Sequence, residues 1–404
     1  MIAENVRPAA SAPARLFGAL ERQPADALLG LIGLFRQDPR ATKIDLGVGV
    51  YRDDAGETPV MQAIKAAEHR LAETQPTKAY LGAEGDARFV DLLAPIVFGA
   101  ALAGDPGLTG VQTPGGTGAL RLAAELVARG AGDPKVWIGT PTWPNHAPIF
   151  REAGVTVRPH PFFDAASGTV DFAAMASALA EAAPGDVVLL HGCCHNPTGA
   201  ELDAAQWSAL TALVVERGLI PLIDLAYQGL GRGLEDDASA TRSMLAAAPE
   251  AIVAYSCDKN FGLYRDRVGA LWVKADGGSL AAVRDNILVL ARSLWSMPPD
   301  HGAATVREIL EDATLTSSWR RELEEMRSRI AGLRAALADA DARLAPLAHQ
   351  GGMFAMLPLP RDAIFALRAS HGIYMAESGR INIAGLRGET VASFVAAIAP
   401  YLQR

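Results

Sequence analysis

Cysteine is scarce in this 404-residue chain, with Cys193, Cys194 and Cys257 its only three. Two are adjacent and none stands at a metal-ligand spacing with histidine. Neither a disulfide framework nor a metal centre is therefore expected, and a reducing cytoplasm fits. Positive charge is also in deficit: 37 Lys and Arg against 45 Asp and Glu leave a formal net charge of −8. That balance argues against a nucleic-acid partner and for plain solubility. No apolar run reaches the ~20 residues a membrane helix needs. The first residues also lack the basic-then-apolar pattern of a signal peptide. What the chain has in quantity is apolar surface: it is 50% hydrophobic and 20% charged. This supports sizeable cores, at a length that suits two domains or one large domain with a satellite.

Residues 1–20 read as a loose arm by composition, and Asp26 is placed to cap a helix over 27–36. Residues 44–51 read as a short strand broken by glycines, and 60–72 as a helix. Apolar strand candidates at 136–139, 187–191, 219–224, 252–256 and 268–273 then alternate with helices such as 117–129 and 204–217. Such alternation predicts an α/β fold with a mainly parallel sheet covered by helices on both faces. A helix over 319–344 carries Leu323, Met326, Ile330, Leu333 and Leu337 on one face. A short mixed α/β region follows it.

The chemistry gathers on the loops between these strands, where α/β enzymes hold reactive side chains. Lys259 lies between two core strands, flanked by Ser256 and Arg267, a hydroxyl and a guanidinium suited to holding phosphate. A lysine beside a phosphate site suggests pyridoxal phosphate, which combines a lysine imine with a phosphate handle. Gly116 and Thr117 open a helix whose free N–H groups favour an anion. Taken alone, that turn is also common as an ordinary glycine-rich entry to a helix. Trp143, just past a strand end, offers a stacking face for a planar ring. Asn196 sits in a turn and could donate to a phenolic oxygen, and Tyr227 could reach the same atom. Asp224 puts a carboxylate inside an apolar strand, where it needs a partner such as a protonated pyridine nitrogen.

The ordered set of Gly116-Thr117, Trp143, the HNPTG at 195–199, Asp224 to Gly229 and Ser256/Lys259/Arg267 resembles the aspartate and aromatic amino-acid aminotransferases. These are pyridoxal-phosphate enzymes of fold type I, and the resemblance extends over nearly the whole chain. It implies a large cofactor-binding domain over 57–315 and a small domain built from 21–56 and 316–404. It implies that Lys259 bonds the cofactor and moves the proton at the substrate Cα. Asp224 would pair with the ring nitrogen, and Tyr227 and Asn196 with its phenolic oxygen. Trp143 would stack on the ring, and Gly116, Thr117, Ser256 and Arg267 would hold the phosphate. Arg380 would grip the substrate α-carboxylate, with Gly49, Asn196 and Phe354 nearby. Tyr80 and Arg292 would arrive from a second subunit, so a homodimer with shared sites is implied. The substrates would be aromatic or dicarboxylic amino acids with 2-oxoglutarate.

Three residues depart from the family pattern. Gly115 replaces a frequent serine, and Met297 replaces the asparagine common in aspartate-specific members, which tilts the reading towards aromatic substrates. Asp258 stands where a small neutral residue is usual, and it is expected to turn outward and pair with a cation such as Arg265, the alternative being a carboxylate close to the phosphate and imine that weakens cofactor retention or raises the imine pKa. An aspartate-specific aminotransferase remains the nearest alternative, and a β-lyase or decarboxylase shares the cofactor. A nucleotide-dependent dehydrogenase lacks its third glycine and its acidic residue here. A ligand-binding regulator would want a DNA-binding module.

Overall fold

A seven-stranded sheet organises the chain. In chain order its strands are β1 (Leu108–Pro114), β2 (Val136–Thr140), β3 (Val157–Pro161), β4 (Val187–His191), β5 (Ile220–Leu225), β6 (Ala251–Ser256) and β7 (Val268–Lys274). Their spatial order is β1-β7-β6-β5-β4-β2-β3. All neighbours from β6 to β3 pair in parallel, while β7 runs antiparallel to both β6 and β1. The computed structural model describes residues 17–18, 20–22 and 27–402. The expected arm at 1–20 and the Asp26 cap thus fall wholly or largely outside the described residues.

The central strands are buried on both faces, as their unbroken apolar runs require. Successive side chains alternate sides: Val253 and Tyr255 pack into one core, Ile252 and Ala254 into the other. Burying a valine or isoleucine side chain such as Val253 or Ile252 contributes ~1.5–3 kcal/mol. The helix α1 (Gly115–Ala128) starts directly where β1 ends, and its Ala119, Leu120, Leu122 and Ala123 are buried against the second core. A third core joins Leu46 to Ile364, Leu367, Ile381 and Phe394.

The helix α2 (Leu280–Leu294) precedes the long helix α3 (Ala313–Ala340). Asp312 caps α3 by accepting from the N–H groups of Thr314 and Leu315. Trp319, Leu323, Met326 and Ile330 pack with the sheet core, whereas Leu333 and Leu337 pack with the third. Trp319 also stacks on Phe261 at 4.3 Å and donates its indole N–H to the Asn260 carbonyl at 2.8 Å, which anchors the loop carrying Lys259.

The helix expected at 319–344 therefore starts earlier and ends at Ala340. Asp341 is extended (φ −151°), and a 3-10 segment containing Pro346 follows it. The strand expected at 44–51 is confined to Ile44–Asp45, paired in parallel with Ile373–Tyr374. The helix Ala87–Ala103, with Pro95 and a kink at Gly99 (φ 74°), had no counterpart among the expected elements.

Candidate active site

Strand pairing assembles the site. In the parallel β4–β5 ladder His191 lies opposite Asp224, both at the carboxyl ends of their strands. In the antiparallel β6–β7 pair Ser256 faces Gly269, and the Cys257 N–H reaches the Val268 carbonyl at 2.9 Å. Continued one step, that register sets Asp258 opposite Arg267. The β1–β7 register, with Pro114 facing Val268, likewise brings Gly115 beside Arg267.

These strand ends wall a cavity of about 270 Å³, close to the ~300 Å³ at which small-ligand sites begin. Gly49, Gly116, Thr117, Trp143, Asn196, Asp224, Tyr227, Ser256, Lys259, Arg267, Phe354 and Arg380 all line it. Two expected residues do not: Tyr80 is 94% exposed, and Arg292 lies exposed near the end of α2, bonded to the Ser296 hydroxyl.

Asp224 is buried, and its Oδ2 meets His146 Nε2 at 3.0 Å. His146 Nδ1 in turn meets the Thr142 hydroxyl at 2.7 Å. Burial opposes the charged carboxylate, but the His146 hydrogen bond and nearby positive charge, including Lys259, hold its pKa below the ordinary value. Lys259 Nζ lies 5.2 Å from the Tyr227 ring centre. Burial pushes its pKa down, against the pull of Asp258 and Asp224, which favours the free amine a Schiff-base lysine needs. Asn196 Nδ2 donates to the Tyr227 hydroxyl oxygen at 3.4 Å. Burial, and then Asp224, raise the Tyr227 pKa, so the hydroxyl keeps its proton for donation.

Arg380 is buried, sits 4.7 Å above the Phe354 ring and donates to the Gly47 carbonyl at 2.6 Å. Its Nε has no partner, and no carboxylate pairs with it among the described residues. Gly49 allows Phe354 to approach, since a Cβ there would stand 3.0 Å from the ring's Cζ. Gly116 similarly lets α1 close on β6, its Cβ position lying 3.0 Å from Ser256 Cβ.

A half-buried lysine, a carboxylate floor, a helix start beside an arginine and a second guanidinium without a carboxylate form an amino-transfer constellation. The sequence model described as "Aminotransferase class I and II" matches residues 41–398. The chain belongs to that family. Similar proteins include a tyrosine aminotransferase of Rhizobium meliloti, 55% identical over 92% of this chain and 96% of its own length. An aspartate aminotransferase of Salmonella typhi is 42% identical over 96% of this chain and all of its own length (100%). Among solved structures, an aromatic-amino-acid aminotransferase from Burkholderia pseudomallei, covalently bound to pyridoxal phosphate, matches with a TM-score of 0.93 at 37% identity. That match covers 96% of this chain and 100% of the other. Pyridoxal-phosphate-dependent transamination on fold type I is thus the activity of this aminotransferase, as the motifs implied.

The residues present fit the cofactor. Asn196 Oδ1 and Arg380 Nε are buried without partners among the described residues, and the start of α1, which has no side-chain cap, lies beside the guanidinium of Arg267. One expectation is overturned. Asp258 does not face outward: it is 3% exposed, lines the cavity and pairs with Arg267, while Arg265 is exposed. The antiparallel register places it opposite Arg267, within reach of that guanidinium. The sequence reading also missed His146 as the partner of Asp224, and Tyr264, whose hydroxyl accepts from the Tyr51 N–H at 2.8 Å. His146 stands four residues after Thr142 in the Trp143 segment, and that spacing was the available signal.

Proposed function

We propose that this aminotransferase moves an amino group between aromatic or dicarboxylic amino acids and 2-oxoglutarate, with the roles the sequence assigned. When bound, pyridoxal phosphate supplies a carbonyl that takes the amino group and a protonated ring that accepts electrons from Cα. Lys259 holds the cofactor and carries a proton at the substrate Cα, a task its burial-lowered pKa suits. Asp224, kept charged by His146, retains the proton on the ring nitrogen. Tyr227 donates to the phenolic oxygen with Asn196 beside it. Trp143 covers the ring. Gly116, Thr117, Ser256 and Arg267 bind the phosphate.

The observation that carries the substrate class is Arg380. A buried guanidinium without a carboxylate is costly, and a substrate α-carboxylate completes it as a fork-to-fork pair. Phe354, beneath it, gives an apolar wall for an aromatic side chain. Names of relatives on both sides, tyrosine and aspartate aminotransferases, support a site that accepts both.

Tyr80 and Arg292 reach the cavity of a second copy in this reading, Tyr80 at the phosphate and Arg292 at the distal carboxylate. Their exposure in one chain supports a homodimer with shared sites. The division into a large domain, 57–315, and a small one from 21–56 and 316–404 is supported by the separate third core. A reducing cytoplasm is the compartment we assign, since the three cysteines are buried free thiols. Among the described residues no helix is long and apolar enough to cross a membrane. The decisive experiment is kcat/KM for aspartate, tyrosine and phenylalanine with 2-oxoglutarate. Turnover of both classes is expected, and failure of aromatic substrates would overturn the assignment.

A further inference from the structure

Asp258, Arg267 and Gly115 lie in a row across the ends of β6, β7 and β1, and together they shape the floor under the start of α1. Asp258 Oδ2 accepts from Arg267 Nη1, which also donates to the Tyr264 carbonyl at 3.1 Å. The other carboxylate oxygen, Oδ1, is buried with no partner among the described residues. Arg267 itself holds positive φ (57°), which turns its side chain back across the strand end towards Asp258. Gly115, at φ 69°, makes room for the pair. A Cβ there would stand 2.6 Å from Arg267 Nη2 and 3.3 Å from Asp258 Oδ2. The glycine and the acid are therefore one arrangement: the space that a side chain at 115 would fill is occupied by an ion pair.

This arrangement changes the charge of an anion site. The start of α1 and one guanidinium would present a net positive cup to a phosphate. With a buried carboxylate on that guanidinium, the cup's formal charge is near zero before any ligand arrives. Lys259 is the remaining cation nearby, with Tyr264 and Cys257 the other titratable neighbours of Asp258. Resting on the aminotransferase reading above, we propose that Asp258 is a built-in competitor for the cofactor's phosphate at Arg267, and that it lowers the protein's affinity for phosphate-bearing ligands.

The consequence falls unequally on the two forms of the cofactor. The aldehyde form is also held by its covalent bond to Lys259. The amine form, pyridoxamine 5′-phosphate, has no such bond and depends on the ring contacts and the phosphate cup. Asp258 thus weakens the hold on the amine form more than the hold on the aldehyde form.

The test uses cofactor-free protein and variants Asp258→Ser and Asp258→Asn, the second keeping side-chain shape if the first fails to fold. Titration calorimetry would give Kd for pyridoxamine 5′-phosphate, unphosphorylated pyridoxamine and inorganic phosphate. Both variants should bind the two phosphate-bearing ligands about tenfold tighter or more, given Coulomb energies at such separations. Pyridoxamine should bind all three proteins equally. Equal phosphate affinities would overturn the proposal. Weaker binding by the variants would overturn it too, and would show that Asp258 orients the guanidinium for the phosphate. Failure of the underlying reading looks different: no protein, wild type included, would then develop a visible band with pyridoxal phosphate.

Discussion

Arg380→Met removes a charge that no carboxylate among the described residues pairs with. Arg380 is 5% exposed, and burial, its largest influence, lowers its pKa, with Tyr227 opposing. The substitution forfeits one hydrogen bond to the Gly47 carbonyl, about 1 kcal/mol. It retains most of the packing on Phe354, and it relieves an uncompensated charge, which for buried ionic groups replaced by apolar ones is worth roughly 1–4 kcal/mol. The ligand-free variant should therefore be as stable as the wild type or up to ~3 kcal/mol more stable. A chain this long gains only about 2 °C or less in Tm per kcal/mol, so calorimetry should find a rise of a few degrees at most. Catalysis moves the other way. Deleting one partner of a buried charge pair costs ~2–5 kcal/mol, a loss of roughly 30- to 5,000-fold in kcat/KM for every amino acid. A variant that melts well below the wild type, or that loses less than tenfold in kcat/KM, would refute the reasoning.

Arg292→Leu should divide the substrates: aspartate should lose about a hundredfold or more in kcat/KM, phenylalanine little. Equal losses would mean a structural role for Arg292. Because Arg292 is proposed to act in the partner's site, mixing and re-dimerising inactive Lys259→Ala with Arg292→Leu should give hybrids with one intact site and recover aspartate turnover, which the unmixed variants lack. His191 tests the pH dependence. Burial, then neighbouring His146, depress its pKa from 6.5 to about 3. The unfolded chain thus takes up a proton that the folded chain refuses, and stability falls as pH drops from about 6.5 towards 3. His191→Gln should flatten that fall in urea titrations at pH 7 and pH 5, and an unchanged slope would count against it.

The parallel strands were legible because each carried an apolar run too short for a helix and was followed by turn chemistry. Their carboxyl ends then gave Asn196, Asp224 and Lys259 directly. Direction was not legible. Periodicity marks which residues of β7 are buried, as all but its last are, but not that β7 runs against β6. With that direction known, the register from Ser256 and Gly269 would have matched Asp258 with Arg267 by counting. Without it, Arg265 was as good a partner. The kinked helix Ala87–Ala103 escaped because Pro95 and Gly99 break the local pattern, while seven buried residues, Phe89 to Phe98, hold it in place by tertiary packing. His146 escaped for a related reason: its contact with Asp224 spans 78 residues and joins the segment after β2 to the end of β5, two strands that β4 separates in the sheet.

The central claim is that Lys259 holds the cofactor and works on the substrate Cα from within this cavity. The direct measurement reduces the pyridoxal-phosphate-loaded protein with borohydride, digests it and locates the pyridoxyl label by mass spectrometry, with Lys259→Ala alongside. The label should lie on the peptide containing Lys259, and Lys259→Ala should bind the cofactor yet carry no label and transfer no amino group. A label on another lysine, or transamination by Lys259→Ala, would contradict the account.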